Sequence, residues 1–356
     1  MSKREKMLEG IDLRQERGIE IGALAAPIVT KAESDIRYVD WADQQTLKAK
    51  YAHDPNVDVD KIVPVDGIWG DNSLKQSLSD ETGFGYAIAS HVIEHVPDMI
   101  GWLGEIAEVL RPGGRLTLAI PDRRFTFDYL RQETRVGDLI DAWMRRNRRP
   151  SPANVFDFCA NSVIVDAGTA WRGPLDRGNL THYTDPRSAL RMARESFDGA
   201  YHDTHCWVFT PESLLRILID LVDLDLLPYR CARFHTTEPG SIEMFLILER
   251  MADDTDQAKA EARESFLVPL RDVQEPDLAI EVVRLRAVVD AMEQTVASLQ
   301  SEAEASKAKV ASLESEAETL KSKVALREGE IAALRSSTSW RITKPLRDVR
   351  VRISGA

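Results

Sequence analysis

The chain has 356 residues, 43% of them hydrophobic, and a formal net charge of −12 at pH 7. This length predicts two structural units, and the acidity excludes a general nucleic-acid binder, because phosphate recognition needs a basic surface. The three cysteines are widely spaced and form no CxxC pair, which excludes a zinc knuckle or a disulfide framework and favours a reducing compartment.

Neither the first residues nor the most apolar stretch predicts a targeting or membrane segment. The opening MSKREKMLEGIDL has no apolar run after its charges, so we expect no signal peptide. Leu214–Leu227 contains one arginine and three aspartates, whereas a membrane-spanning helix needs roughly 20 apolar residues. We therefore expect a soluble cytoplasmic protein, or one that is peripheral to the inner face of the membrane.

Strand-like and helix-like patterns alternate through residues 1–250. Helical stretches include Met99–Leu110 and Pro211–Leu221, the second preceded by a Thr210 cap. This alternation predicts an α/β fold with a parallel sheet covered on both faces, and the short link His235–Ser241 predicts an antiparallel hairpin at its end. The apolar runs that read as strands are Gly18–Ile21, Arg37–Val39, Lys61–Val65, Tyr86–Ala89, Arg115–Ile120, Leu226–Phe234 and Ile242–Leu248.

A glycine and an aspartate stand where the first two strands end. Gly22 follows the first strand directly, where a glycine lets the backbone approach a ligand closely beside helix N-terminal amides. Asp40 closes the second strand, a position at which such folds hold ribose hydroxyls. Each feature alone has an ordinary alternative, namely a structural glycine turn and a helix-capping aspartate.

Two longer motifs are more specific. YAIASHVIEHVPD, residues 86–98, is a buried strand followed by a polar cluster, and LRPGGRLTLAIPDRRF, residues 110–125, is a helix end, a turn, a strand and a second cluster. In this order they resemble the class I S-adenosylmethionine-dependent methyltransferases, over residues 16–250. The resemblance implies a Rossmann-like doubly wound sheet of seven strands, methyl transfer as the activity, and S-adenosylmethionine as the cofactor.

The resemblance also implies a set of cofactor-binding residues. They are Glu20 and Gly22 at the methionine part, Asp40 at the ribose hydroxyls, Asp66 at the adenine amino group, and Ser90 and His91 at the methionine end and the substrate mouth. The sequence departs from the family pattern twice. Ala23, Leu24 and Ala25 replace the usual glycine-rich continuation, and Gly85 stands where the fourth strand usually opens with an aspartate.

Methyl transfer requires an acceptor aligned with the methyl group and removal of the acceptor's proton. His95 is the candidate general base; alternatively it packs the following loop together with Glu94. The insert of about residues 125–205 is expected to cover the substrate pocket, which we predict His205 and Asp203 to line. The HisAspxHis pattern of residues 202–205 is alternatively a metal-ligand set or an ordinary surface loop, and we assign no metal ligand.

The C-terminal third changes character. Residues 251–277 are polar with two prolines and predict a linker. From 278 to 335 apolar residues recur in steps of four and three, with mostly Val or Ile at the a positions and Leu at the d positions, which predicts a parallel dimeric coiled coil. Six pairs of opposite charge, such as Glu281–Arg286, would join the two chains of a homodimer; the alternative is a single solvated helix.

Residues 336–356 form a basic amphipathic tail, and what it binds is open. It is suited to a membrane surface or to docking on a glycosyltransferase, or else it is a disordered tail. The coil with SWRITKPLR behind it resembles the tails of bacterial surface-polysaccharide glycosyltransferases and methyltransferases. That resemblance implies O-methylation of a sugar or glycan in polysaccharide biosynthesis. The alternatives are a small-metabolite methyltransferase and a catalytically degenerate scaffold.

Overall fold

The computed structural model describes residues 1–274 and 278–347, and the chain divides into two compact units, Met1–Arg284 and Leu285–Ala356. The first unit is built on a seven-stranded sheet of order β3-β2-β1-β4-β5-β7-β6. Strands β1 to β5 pair in parallel, while β7 is antiparallel to both β5 and β6. The strands are β1 Gly18–Ile21, β2 Ile36–Asp40, β3 Gly67–Ile68, β4 Phe84–Ser90, β5 Leu110–Pro121, β6 Tyr229–His235 and β7 Glu243–Arg250.

The seven-stranded α/β fold and the closing antiparallel hairpin were both predicted, and the structure confirms them. Six of the predicted strands lie where the apolar runs placed them, with shifted ends, but the third does not. Lys61–Val65 forms no strand; Ile62 packs instead into a small cluster with Ala42 and Leu47, and β3 follows at Gly67–Ile68. A short apolar run therefore served to dock a loop, not to pair in the sheet.

Helices flank the sheet and extend beyond it. They are α1 Lys3–Met7, α2 Gln44–Tyr51, α3 Leu74–Ser77, α4 Met99–Val109, α5 Val136–Arg145, α6 Pro152–Asn161, α7 Ala167–Arg172, α8 Pro186–Phe197, α9 Pro211–Asp223, α10 Asp256–Gln274, α11 Leu278–Ser336 and α12 Thr338–Ile342. Helix α9 begins as predicted, because the Thr210 side chain accepts a hydrogen bond from the Ser213 amide and Pro211 follows at the first position.

Both faces of the sheet are buried, as the pattern predicted. Along β4, Ala87 and Ala89 belong to the larger core cluster together with residues of α4, α9 and α10. Tyr86 and Ile88 belong to a second cluster that contains Met7 of α1. This alternation follows from the two-residue period of a strand, and it leaves only the ends of the strands free to build a site.

The predicted linker is mostly a helix. Within 251–277, α10 spans Asp256–Gln274 and buries Ala262, Phe266 and Leu270. These three positions are four residues apart and so share one face of the helix, which packs in the core with residues of α9. The polar composition of the segment concealed this narrow apolar face.

The second unit consists mainly of α11, a helix of 59 residues. From Val282 onward the predicted a and d residues are exposed along it, among them Leu299 at 59% and Leu313 at 55%. A long helix is thus confirmed, whereas its pairing into a dimer stays a prediction. Residues 348–356 of the predicted tail lie outside the described residues. Among residues 1–274 and 278–347, no helix combines the length and apolar character that crossing a bilayer requires.

Candidate functional site

A cavity of about 840 Å³ opens at the carboxyl edge of the sheet. Its walls come from the residues that follow β1, β2, β3 and β4, and residues 147–149, 201 and 203 of the insert border it. The insert therefore borders the cavity, as predicted. The volume is typical of pockets that hold a cofactor or a small ligand, and this edge is where open parallel sheets bind ligands.

Gly22 forms the turn at which β1 enters the cavity wall. Its φ of +71° lies in the left-handed region, and its amide donates a hydrogen bond to the Val39 carbonyl at 2.9 Å. A Cβ on Gly22 would stand 2.8 Å from Cγ2 of Val92. Backbone geometry and space both require glycine here, and the bare backbone faces the cavity as the sequence predicted.

Glu20 was predicted to contact the cofactor, but the structure places it elsewhere. Its side chain is buried outside the cavity wall and accepts hydrogen bonds from the Ile28 amide at 2.7 Å and the Val29 amide at 3.1 Å. Burial raises the pKa of Glu20 to about 7, and the two amides oppose that shift. Glu20 thus fixes the loop that follows Gly22 and lies outside the cavity wall, so any role at the cofactor is through this loop.

Asp40 lies in the cavity wall at the end of β2, where it was predicted. One carboxylate oxygen accepts a hydrogen bond from the Trp41 amide at 2.8 Å, and no second hydrogen bond to this carboxylate forms within the described residues. Burial raises the pKa of Asp40 to about 6, although the Trp41 amide and the Lys50 ammonium counteract it. An oxygen with free lone pairs beside a cavity is suited to accept hydrogen bonds from a diol.

Asp66 was predicted to contact adenine, and the structure corrects this assignment. Asp66 is not in the cavity wall, and its two oxygens are bound by the Lys31 ammonium at 2.6 Å and the Tyr38 amide at 2.9 Å. The acid that follows β3 and lines the cavity is Asp71. It was missed because the third strand had been placed at Lys61–Val65.

Ser90 and His91 both line the cavity after β4, as predicted. His91 has a φ of +54° and its Nε2 lies 2.7 Å from Oε2 of Glu243. Burial lowers the pKa of His91, but the hydrogen bond to Glu243 and the nearby Glu94 carboxylate together outweigh burial and raise it to about 9. The His91 ring thus borders the cavity with each of its nitrogens facing a carboxylate.

His95 and Asp203 come together in the cavity wall. His95 Nδ1 lies 2.9 Å from Asp203 Oδ1, and the other oxygen of Asp203 accepts a hydrogen bond from Lys50 at 2.8 Å. Burial lowers the pKa of His95, but the hydrogen bond to Asp203 and the negative charges of Glu94 and Asp203 together outweigh burial and raise it. Burial raises the pKa of Asp203, but His95 and Lys50 hold it well below its usual range. The sequence predicted both residues as catalytic, and they form a hydrogen-bonded pair.

The two histidines of the HisAspxHis pattern, His202 and His205, lie outside the cavity wall. His202 Nε2 lies 3.3 Å from Glu195 of α8. His205 is buried outside the cavity wall, with its ring edge-on to His95 at a centroid distance of 4.6 Å. Its predicted place in the substrate pocket is therefore corrected: it stands behind His95, and its Nδ1 is 2.7 Å from Oδ2 of Asp128.

The residues of this edge suit the cofactor that the sequence suggested. The Gly22 turn offers bare backbone for an amino-acid arm, and the Asp40 carboxylate, which accepts a hydrogen bond only from the Trp41 amide within the described residues, offers free lone pairs for a diol. Trp41 and Trp69 add aromatic surface to the same cavity. These groups match a nucleoside with a ribose diol that carries an amino-acid side arm.

Among the comparisons with known proteins, a family model matches a large part of the chain. A family model described as a methyltransferase domain matches residues 25–227, more than half of the chain. Among curated proteins, none matches the chain.

Solved structures similar to the chain have TM-scores below 0.5, too low to carry an argument about function. The CurJ carbon methyltransferase has 12% identity and a TM-score of 0.33, over 69% of this chain and 51% of that one, so this chain spans about half its length. A SAM-dependent methyltransferase from Aquifex aeolicus has 10% identity and a TM-score of 0.32, over 70% and 90%. A protein described as a putative Zn-dependent alcohol dehydrogenase from Rhodobacter sphaeroides has 14% identity and a TM-score of 0.39, over 70% and 91%.

Proposed function

The chain belongs to the methyltransferase-domain family, and from this premise we propose that it transfers the methyl group of S-adenosylmethionine to a hydroxyl oxygen of a sugar or glycan. The observation that carries the proposal is the His95–Asp203 pair in the wall of the cofactor cavity. With Nδ1 held by Asp203, the lone pair on Nε2 of His95 is the basic site left for an acceptor. Such a site serves an oxygen acceptor, whose proton must leave as the new bond forms.

The rest of the cavity supports a sugar as the acceptor. Trp41 and Tyr201 both line it, their rings are stacked at a centroid distance of 6.5 Å, and both are partly exposed. Lys50 lies 4.8 Å from the centre of the Trp41 ring. Aromatic faces beside charged hydrogen-bonding groups suit a sugar ring, which has apolar faces and a polar rim.

The chain's own residues have defined tasks in this reaction. The cofactor supplies an electrophilic methyl group on a sulfonium. Gly22 and Asp40 hold the cofactor, His91 borders its methionine end, and His95 with Asp203 aligns the acceptor hydroxyl. The glycan as acceptor is supported by the C-terminal helix and tail, whose sequence resembles the tails of surface-polysaccharide enzymes.

Two measurements test the proposal in sequence. Calorimetric titration of the full chain with S-adenosylmethionine is expected to give one saturable site; no binding would favour the scaffold alternative. Incubation with labelled cofactor and cell-envelope glycan extracts, beside free sugars and nucleotide sugars, is expected to label a glycan or sugar. Labelling of non-sugar metabolites alone would overturn the sugar assignment.

The role of His95 is tested by substitution. His95→Asn is expected to lower turnover by about 100-fold or more while leaving cofactor affinity nearly unchanged. His202→Gln is the matched control, because His202 lies in the same segment as Asp203 but contacts Glu195 and not the cavity. Equal losses in the two variants would argue against the assigned role of His95.

A further inference from the structure

Behind the cavity wall, three side chains with metal-binding chemistry converge. Glu94, His95 and His205 each present one ligand atom, and these atoms lie within 4.8 Å of one another. The closest recorded approach is 4.0 Å, between Nε2 of His205 and Oε1 of Glu94. Glu94 and His95 follow β4, whereas His205 comes from the end of the insert, so the fold brings together residues that are distant in sequence.

The Glu94 carboxylate has no adequate partner within the described residues. It is fully buried, and neither oxygen has a hydrogen-bond partner there. His91 Nδ1 is 3.5 Å from Oε1, which gives charge compensation without a hydrogen bond. A buried carboxylate is costly unless it is hydrogen-bonded or bound to a cation, so this pair of oxygens indicates a ligand.

Both histidines are oriented as metal ligands usually are. Asp203 binds Nδ1 of His95 at 2.9 Å, and Asp128 binds Nδ1 of His205 at 2.7 Å. Each imidazole is thereby fixed with a lone pair on Nε2. Metal-binding histidines typically donate their other ring N–H to a carboxylate, which sets the tautomer and the ring orientation.

The two aspartates are themselves anchored. Lys50 donates to Asp203 at 2.8 Å, and Arg131 donates to Asp128 at 2.7 Å. Each carboxylate therefore has a cation on its far side and an imidazole on its near side. Glu94 is opposed by His91 alone, which it shares with Glu243, so its carboxylate can offset the charge of a bound cation.

We infer that Glu94, His95 and His205 bind one divalent first-row transition-metal ion at the acceptor end of the cavity. Two imidazoles and one carboxylate favour ions such as Zn²⁺ or Mn²⁺ over Mg²⁺ and Ca²⁺, which prefer oxygen ligands. Ligand atoms at about 2.1 Å from a metal lie roughly 3 to 3.5 Å apart. The Nε2–Oε1 distance of 4.0 Å therefore needs to shorten by less than about 1 Å on binding.

The task of the ion rests on the proposed function. His95 also lines the cavity, so the open coordination positions can reach an acceptor hydroxyl and lower its pKa. The proton of the hydroxyl passes to water, the oxygen forms a bond to the methyl carbon, and the carbon–sulfur bond breaks with its electrons left on sulfur. In the metal-bound chain the Nε2 lone pair of His95 holds the ion, and water takes the proton; in the metal-free chain the same lone pair is the basic site in the proposed function.

Metal binding can be measured without cofactor or acceptor. The full chain, first stripped with a chelator, is titrated calorimetrically with Mn²⁺, Zn²⁺ and Mg²⁺, and Co²⁺ is added as an absorbance probe of imidazole coordination. We expect one Mn²⁺ or Zn²⁺ per chain, much weaker Mg²⁺ binding and a visible Co²⁺ band. Glu94→Gln and His205→Gln are expected to weaken Mn²⁺ binding by at least about tenfold, and Asp128→Asn by about 10- to 100-fold.

The matched control is His53→Gln, which removes an exposed histidine outside the cavity wall and is expected to leave Mn²⁺ affinity unchanged. Circular dichroism checks that each variant is folded. The proposed metal site would be overturned if the folded wild-type chain bound neither Mn²⁺ nor Zn²⁺, or if folded Glu94→Gln bound Mn²⁺ as tightly as the wild type. His91 would then be the countercharge of Glu94. Because the titration contains no cofactor, this failure is separate from any failure of cofactor binding.

Discussion

At the scale of single residues, Asp40 should make cofactor binding depend on pH. Its pKa is raised to about 6 by burial, with the Trp41 amide and Lys50 opposing the shift and Asp203 adding to it. Ribose hydroxyls donate far more strongly to the ionised carboxylate than to the protonated one, so affinity is nearly complete above about pH 7 and is lost as the pH falls through 6. We expect the Kd for S-adenosylmethionine to be constant from pH 7 to 8 and to rise about tenfold per unit below pH 6.

Asp40→Asn is the control for that pH dependence. It is expected to weaken binding by about 100-fold at pH 7.5, since two hydrogen bonds to a charged group are lost, and to remove most of the dependence between pH 5 and 7. Calorimetric titration across this range measures both effects. A variant that kept the wild-type slope would place the titrating group elsewhere.

The two acids around β3 make a second prediction, because the sequence and the structure disagree about them. Asp71 lines the cavity, whereas Asp66 is bound by Lys31 and the Tyr38 amide. Asp71→Asn is expected to weaken cofactor binding by about tenfold, the value of one charge-assisted hydrogen bond. Asp66→Asn should change the Kd by less than about twofold, and the reverse order would restore the original assignment.

Gly22 provides a third prediction at this scale. Gly22→Ala forces a side chain into a left-handed turn with φ +71° and brings Cβ to 2.8 Å from Val92. We expect a loss of about 1 to 3 kcal/mol in unfolding free energy and a weaker cofactor site. Gly104→Ala in α4, where a Cβ meets nothing within 4 Å, is the control and is expected to be neutral or stabilising; urea titration compares the two.

The sequence placed residues in the cavity wall correctly where it located the carboxyl end of a strand correctly. Gly22, Asp40, Ser90 and His91 follow strands that were located correctly, and all four line the cavity. Glu20 lies within a strand, so its side chain reaches a buried loop and not the cavity. The partners Lys50 and Asp128 were not predicted, since each is brought to its histidine by a fold contact that has no local pattern.

At the scale of elements, the insert is held together by one buried cation. Arg131 is 2% exposed and donates to Asp128 at 2.7 Å, to Asp157 of α6 at 2.8 Å and to the His205 carbonyl at 2.9 Å. Arg131→Leu removes all three bonds and leaves the buried Asp128 carboxylate without its cation. Breaking a buried pair in this way costs about 3 to 5 kcal/mol.

We therefore expect Arg131→Leu to lower the melting temperature of the domain by several degrees. Arg135→Leu is the matched control, because Arg135 pairs with Asp138 through a side chain that is 80% exposed, and exposed pairs contribute little. Differential scanning calorimetry of the two variants measures the difference. Comparable melting temperatures would mean that the insert is not stabilised through Arg131.

The elements show why some segments were predictable and others were not. Long, strongly periodic segments such as α4 and α9 were located to within a few residues, because burial of one face fixes their pattern. Helix α10 was missed because only Ala262, Phe266 and Leu270 face the core within a polar sequence. Strand β3 has two residues, too few to show any period.

At the scale of the whole molecule, the exposed row of a and d residues along α11, here called the seam, predicts that two chains associate through the second unit. The helix is about 90 Å long at 1.5 Å per residue, and apolar residues such as Val296, Leu299, Val310 and Leu313 are more than half exposed along it. A single helix leaves these apolar residues in water. Two parallel copies in register would bury them against each other and would place six pairs of oppositely charged residues side by side. We expect a homodimer.

The homodimer is tested by comparing two variants, one with glutamates on the seam and one with glutamates on the outward face of α11. Leu299→Glu with Leu313→Glu puts two carboxylates at d positions, where each buried leucine contributes about 1.5 to 3 kcal/mol, and is expected to give a monomer by light scattering. Ser301→Glu with Ser315→Glu adds the same charge at the outward f positions and should remain dimeric. A chain ending at residue 277 is expected to be a folded monomer that still binds cofactor, because the cavity and α10 are complete without α11; if it were dimeric, the first unit and not the coil would hold the dimer together.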